Sequence, residues 1–302
     1  MNYETLYNTI QAYSETTEPI FVANIPVFVQ EAEDRIYNSV QLTPLRKNVT
    51  GYLTTSNPYI SLPDDFLAVF SLAVIDSTNN YHYLLNKDVN FMREAYPNPN
   101  DTGMPLYYAL FGSQLTNINE LSTIIAPTPD QPYPVELHYY YYPPTIVQGQ
   151  ITTISITNAG SGYTNGVYQN TPLSGGSGSG AYADILVVGG VINTVTLKFG
   201  GNFYIVGDQL SATLGNTGIG VIFTVSTVSN ATGTSWLGDN YDPVLFYGAM
   251  REAMLFQKGE VDLVQYYEQK YQEALQQLNR LGTGLERGDA YRDHQAKIVV
   301  NP

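Results

Sequence analysis

Three histidines, 27 carboxylates and no cysteine bound the chemistry open to this 302-residue chain. His82, His138 and His294 stand far apart, and none belongs to a His-x-x-x-His or His-Glu-x-x-His pair, the spacing that sets two imidazoles on one helix face around a metal. Without cysteine there is no thiolate ligand, no disulfide and no thiol nucleophile. No serine has glycine two residues before and two after it, so the strained turn that exposes a hydrolase serine is not encoded. Gly176-x-Gly178-x-Gly180 precedes a strand pattern, whereas a phosphate cradle needs a helix N-terminus. The evident acid pair is Asp64-Asp65, but adjacent residues on one turn do not converge on a scissile bond, and Asp after Pro63 suits turn or cap chemistry. Asn98-x-Asn100-x-Thr102-Gly103 begins like a calcium loop, yet Ala109 stands where the closing glutamate belongs. No catalytic residue, no metal site and no cofactor is expected.

What the sequence offers instead is contact surface. Of 26 tyrosines, 16 precede residue 148, and Tyr139, Tyr140, Tyr141 and Tyr142 are consecutive, which puts aromatic rings on both faces of one strand. Large rigid side chains with a polar tip suit interfaces that are buried at one end and wet at the other. These four, with the sole tryptophan, Trp236, are the candidates for contact between subunits.

The elements that must carry these residues fall into three stretches. The first is helical at its start, with Tyr3, Leu6, Tyr7, Ile10 and Tyr13 on one face, then a second helix beginning near Asn24-Ile25-Pro26 with Ile25, Phe28, Val29, Ala32, Ile36 and Val40 as its stripe. From Val49 the period changes to two. Strands are expected at Val49–Thr54, Phe70–Ile75, Tyr81–Leu85, Tyr107–Phe111, Ser122–Ala126 and Val135–Tyr142, with a short helix over Asp88–Tyr96. The last stretch is helical again: Asp242-Pro243 starts a helix, Gly259 stops it, and a second runs to Leu281, with Gly282 and Gly284 as its exit.

Between them, residues 149–233 hold 17 of the 26 glycines and three charged residues, Asp184, Lys198 and Asp208. Slid against itself by 41 residues, this stretch superimposes Ile154 on Val195, Ile156 on Leu197, Gly160 on Gly201, Tyr163 on Tyr204, Gly166 on Gly207, Leu173 on Leu214 and Tyr182 on Phe223. Two copies of one β unit follow, able to bury together a face that neither buries alone. Charge narrows the partners. With 13 Lys and Arg against 27 Asp and Glu the net charge is −14, unsuited to gripping phosphate. The longest apolar run, Phe66–Ile75, is about half of what a membrane crossing needs, so no membrane partner is expected.

A string of segments carries a family likeness: Phe21-Val22-Ala23-Asn24-Ile25-Pro26, Glu33-Asp34-Arg35-Ile36-Tyr37, Leu45-Arg46-Lys47-Asn48-Val49-Thr50-Gly51, Leu62-Pro63-Asp64-Asp65-Phe66-Leu67, Leu84 to Phe91, Glu94-Ala95-Tyr96-Pro97, Val135-Glu136-Leu137-His138-Tyr139 and Thr234-Ser235-Trp236-Leu237-Gly238-Asp239. In this order, and with Asp289-Ala290-Tyr291-Arg292-Asp293 in the tail, the chain resembles the head-to-tail adaptor (head-completion or neck) proteins of tailed bacteriophages, the short-tailed type especially. The likeness covers most of residues 1–147 and 234–302. In such proteins Pro143–Val147 would run almost directly into Thr234-Ser235-Trp236, and this chain departs from that pattern by inserting the repeats.

The expected fold is therefore α+β: a helical and antiparallel-sheet adaptor core over residues 1–147 and 234–282, an inserted all-β domain over 148–233, and an extended C-terminal arm over 283–302. The resemblance implies a non-enzymatic virion protein made in the host cytoplasm and seated in the neck, in a homo-oligomeric ring, twelve-fold, between the portal protein and the tail or fibre proteins. Double-stranded DNA would pass through without specific binding. The arm, with Tyr291, Arg292, Ile298, Val299 and Val300, is expected to reach the portal or a neighbouring chain, its apolar end adding a strand to a partner sheet. A rival reading makes the β repeats a receptor- or carbohydrate-binding device working through Tyr163, Tyr168, Tyr182, Phe203 and Tyr204.

Overall fold

The computed structural model describes residues 1–98, 100–112, 122–215 and 218–296, with side chains through Gly282. In chain order, helices α1 (Tyr3–Tyr13) and α2 (Pro19–Ser39) lead into β1 (Arg46–Tyr52), β2 (Tyr59–Ser61), β3 (Phe66–Ile75), β4 (Tyr81–Tyr83) and β5 (Leu85–Asn86). Then come α3 (Val89–Ala95), β6 (Tyr107–Phe111), β7 (Ser122–Ala126) and β8 (Pro134–Tyr141). A run of six strands follows: β9 (Gln150–Ser161), β10 (Gly166–Gly175), β11 (Ser179–Val188), β12 (Val191–Asn202), β13 (Gln209–Ala212) and β14 (Ile219–Ser229). Helices α4 (Trp236–Asn240), α5 (Asp242–Phe256) and α6 (Val261–Ala296) close the described chain. The fold is α+β with a β-rich domain. Two compact units form, one from residues 1–40 and 144–302 and one from residues 41–143. The β-rich stretch thus groups with the helices, a different partition from the one that composition suggests.

In the larger unit α1 starts as expected: Asn2 accepts a hydrogen bond from the Thr5 amide, and Tyr3, Leu6 and Ile10 are buried. The second helix starts at Pro19, ahead of the expected Asn24. Asn24 lies within it, its side-chain amide donating to the Ile20 carbonyl at 2.7 Å, and Pro26 is interior. An interior proline costs about 3 kcal/mol. Burying each of Phe21, Ile25, Phe28 and Val29 is worth roughly 1.5–3 kcal/mol, so packing carries the helix through. Charged pairs tie α2, α5 and α6 together: Arg35 meets Glu252 at 2.6 Å, and Arg251 meets Glu252 at 2.7 Å and Glu268 at 2.8 Å. The expected helix exit at Gly282 and Gly284 does not occur, because α6 runs on to Ala296. Gly282, Gly284 and Gly288 each cost about 1 kcal/mol in a helix, but glycine, unlike proline, keeps its amide donor and does not by itself terminate one, and the helix formers Leu281, Leu285, Glu286 and Arg287 stand among them. The extended arm over residues 283–302 is accordingly helical as far as Ala296; residues 297–302 lie outside the described residues.

The six strands form one sheet in the order β12-β11-β10-β13-β14-β9. Strands β9 and β12 begin and end 41 residues apart, as the repeat requires. The repeats exchange partners: the third strand of each pairs antiparallel with the first strand of the other, β11 with β12 and β14 with β9, while β10 and β13 meet at the centre. The order reads the same from either end once the repeats are interchanged. One detail corrects the sequence alignment. Ala181, Ala183 and Ile185 are buried in β11 and Val221, Phe223 and Val225 in β14, so the offset after the glycine-rich loop is 40, and exposed Tyr182 is not the counterpart of buried Phe223.

The smaller unit packs two four-stranded sheets, β1-β8-β3-β4 and β2-β7-β6-β5, over a core that includes Leu53, Leu62, Leu72, Val135, Leu137 and Tyr139. All pairs are antiparallel except β5 with β6. The expected strand Tyr81–Leu85 is two strands in different sheets, β4 and β5, divided at buried Leu84. Asp88 caps α3 by accepting from the Asn90 amide.

Candidate functional site

The tyrosine run lies on β8, which has β1 on one side and β3 on the other, and that position decides what each ring meets. Tyr139 and Tyr140 are buried inside the chain's own fold and Tyr141 and Tyr142 are half-buried. The Tyr139 hydroxyl donates to Asp65 at 2.8 Å and its ring stacks on Phe66. Burial, together with the Asp65 carboxylate, pushes this phenol up to about 12. Burial alone would raise the Asp65 carboxyl, but hydrogen bonds from Lys47 and Tyr139 and the Lys47 charge hold it below its usual range. Tyr140 accepts from Arg46 at 2.6 Å and meets Phe70 edge-on. Trp236 is half-buried at the start of α4, where Ser235 caps by accepting from the Gly238 amide. Tyr291 and Arg292 fall in α6 beyond the described side chains, and Ile298, Val299 and Val300 lie outside the described residues.

One constellation escaped the sequence reading. On the outer face of the first sheet Ser71 Oγ lies 3.1 Å from His138 Nδ1, and His138 Nε2 lies 3.0 Å from Glu136. Glu136 also accepts from Asn48, and hydrogen bonds from Tyr81, Asn48 and His138 hold its carboxyl below its usual range. Glu136-x-His138 was visible as two residues on one strand face; Ser71 is brought beside them by the β3–β8 register. Serine, imidazole and carboxylate stand in line across β3 and β8, beside an irregularity in the ladder between Val69 and Ser71; acyl transfer would also need amide donors aimed at an oxyanion. The row acts as cross-strand pairing. His82 is likewise paired to Asp76, at 2.9 Å. Among the described residues no group of three carboxylates or histidines could hold a metal ion, and no helix is long and apolar enough to cross a membrane.

The aromatics proposed for glycan contact are largely committed to packing. Tyr163 and Tyr204 are buried in the β core, and Phe203 packs against Tyr3 and Tyr7 of α1. Tyr182 is the exposed one.

A groove of about 590 Å³ opens in the smaller unit, and one of about 360 Å³ lies in the β-rich stretch beside Tyr163 and Leu214. The first opens between β1 and β2, the strands that end their respective sheets, and its floor is made by Leu72, Val135 and Leu137. Around the same unit large apolar side chains stand in solvent, among them Tyr52, Phe70, Tyr81, Tyr83, Leu85 and Phe111.

Comparison with known proteins adds one match. A family model described as SU10 adaptor protein fits residues 1–169, more than half of the chain. The matched span takes in α1, α2 and the whole smaller unit, and continues past residue 147 through β9 into β10. No curated protein matches.

Proposed function

Because the chain belongs to the SU10 adaptor protein family, and is thus a phage structural protein of adaptor type, we propose that it forms the ring that joins the portal to the tail and continues the DNA channel between them. The family match over residues 1–169 carries this reading. Two properties support it. A ring is closed by heterologous contacts, each chain offering one surface to a different surface of the next. Exposed Tyr52, Phe70, Tyr81 and Tyr83 give the smaller unit apolar surface of the kind such contacts cover. Since Tyr139 and Tyr140 are already buried within the chain, the side-to-side contact of the smaller unit falls to these exposed residues and half-buried Tyr141 and Tyr142, while Trp236, half-buried in the larger unit, is a separate candidate for subunit contact. A net charge of −14 per chain disfavours retention of phosphate, so DNA can slide through the lumen. The end of α6, with Tyr291 and Arg292, is offered to the portal, twelve copies seat in the neck of the virion, and tail or fibre proteins attach below.

The test is the mass of the purified chain, alone and with the portal ring of its phage, by native mass spectrometry or light scattering. A monomer that becomes a stoichiometric ring on the portal is expected. A stable small oligomer indifferent to portal overturns the assignment.

A further inference from the structure

We propose that the groove between β1 and β2 receives the last residues of a second copy of this chain, Lys297–Pro302, laid along β1 as an added strand. The inference rests on the ring reading above and gives that ring its closing contact.

The receiving side is an unfinished sheet. β1 has β8 as its one strand partner among the described residues, so its outer edge presents the alternating N–H and C=O groups on which another strand can pair. Its core-facing side is also incomplete. Val49 is opposite Leu137, and residues directly opposite share a face, so Val49 points to the core side, yet it is 40% exposed. Gly51 is opposite Val135 and leaves a gap: a Cβ built there has Val135 Cγ2 as its one neighbour, 3.8 Å away. Across the opening stand Ile60 and Leu62. An apolar strand beside β1 would cover Val49, fill the space over Gly51 and meet Ile60.

The occupant is named by composition and by reach. The chain ends Lys297-Ile298-Val299-Val300-Asn301-Pro302, and its three β-branched residues favour a strand over the helix that precedes them. Six extended residues span about 20 Å, against about 23 Å for the seven of β1. The 36 residues of α6 extend about 54 Å, roughly four times the 13 Å radius of gyration of a 100-residue domain. A lever of that length hands its end to another molecule. Repeated around a ring, each chain fills the groove of the next, a heterologous contact that closes.

The absence of cysteine makes the test clean. Val299→Cys is combined, in the full chain, with Asn48→Cys, Val49→Cys or Thr50→Cys in turn, assembled on the portal ring and mildly oxidised. A ladder of covalent multimers is expected from at least one pair, more than about tenfold above the single-cysteine controls, because docking raises the local thiol concentration. A ring that assembles but yields only monomers, cross-links within one chain or cross-links to portal overturns this inference and leaves the ring reading standing. A second arm needs no ring. A fluorescent peptide of residues 293–302 is titrated onto the chain lacking 297–302. Anisotropy should rise with this shortened chain and be lost when it also carries Val49→Arg. No rise overturns the docking, whereas binding without ring formation overturns the ring reading alone.

Discussion

Glu33 shows how one residue ties distant parts of the larger unit together. It lies on the buried face of α2, where Thr145 Oγ1 donates to it at 2.6 Å and the Ile146 amide at 2.9 Å, so a helix from the start of the chain holds the segment returning from the smaller unit. Burial pushes its carboxyl up to about 7; the two hydrogen bonds oppose that rise, and neighbouring Asp34 adds to it. Tyr3 of α1 feels the same carboxylate, and burial raises its phenol well above the ordinary range. In the unfolded chain a glutamate titrates near 4.3. Between there and about pH 7 the folded state keeps a proton that the unfolded state has lost, so stability falls as pH rises, by about 1.4 kcal/mol per pH unit and on the order of 4 kcal/mol in all. Glu33→Gln keeps an acceptor for Ile146 and cannot ionise. The melting temperature of the native chain should therefore fall between pH 5 and pH 7 relative to that of Glu33→Gln, as followed by Trp236 fluorescence, and parallel curves would refute the assignment.

At the scale of elements, the repeats explain why glycine is concentrated in one stretch. Tyr163 of the first repeat packs its ring on Gly218 of the second, and Tyr204 of the second packs on Gly178 of the first, 2.6 Å separating its ring from a Cβ built there. The Tyr163 hydroxyl accepts from the Val221 amide at 3.2 Å, and the counterpart amide, Ala181, faces Tyr204. Each repeat thus holds the glycine loop of the other. Gly218→Ala puts a methyl inside the Tyr163 ring at a φ of +81°, while Gly189→Ala meets open space at +66°. The second change should cost only the left-handed backbone, about 1–2 kcal/mol, and the first several kcal/mol more through displaced core; equal losses in denaturant midpoint would contradict the interlock. Much of this was legible in the residues. Period-two alternation located Tyr107–Phe111 and Ser122–Ala126, and the 41-residue offset located both β units. What was not legible is non-local. Strand exchange, the 40-residue offset in β14 and the Ser71–His138 contact depend on register between strands, and a single chain of letters carries no register. Pro26 and Gly282 were read as helix boundaries from local propensity, which burial along α2 and the flanking helix formers around Gly282 outweigh.

The whole molecule is two folding bodies threaded unequally. Residues 41–143 are contiguous, whereas the larger unit is assembled from both ends of the chain. Within the smaller unit the first and last strands, β1 and β8, are neighbours, Arg46 opposite Tyr140, so the chain enters and leaves at one place. That is the geometry of a segment inserted into a host at small entropic cost, since fixing its ends closes no long loop. It also has its own cores, one between its sheets and one around Met92, Ala109 and Ile124. The fragment 41–143 should therefore fold alone, with a single urea transition by far-UV circular dichroism and an m-value of about 1–2 kcal/mol per molar. The sole tryptophan, Trp236, belongs to the larger unit, so in the intact chain its fluorescence reports that unit only. If the two bodies unfold independently, circular dichroism of the intact chain will show a transition at the midpoint of the fragment to which Trp236 is silent. A fragment without a cooperative transition, or one transition seen alike by both probes, would mean instead that the smaller unit depends on its host for stability.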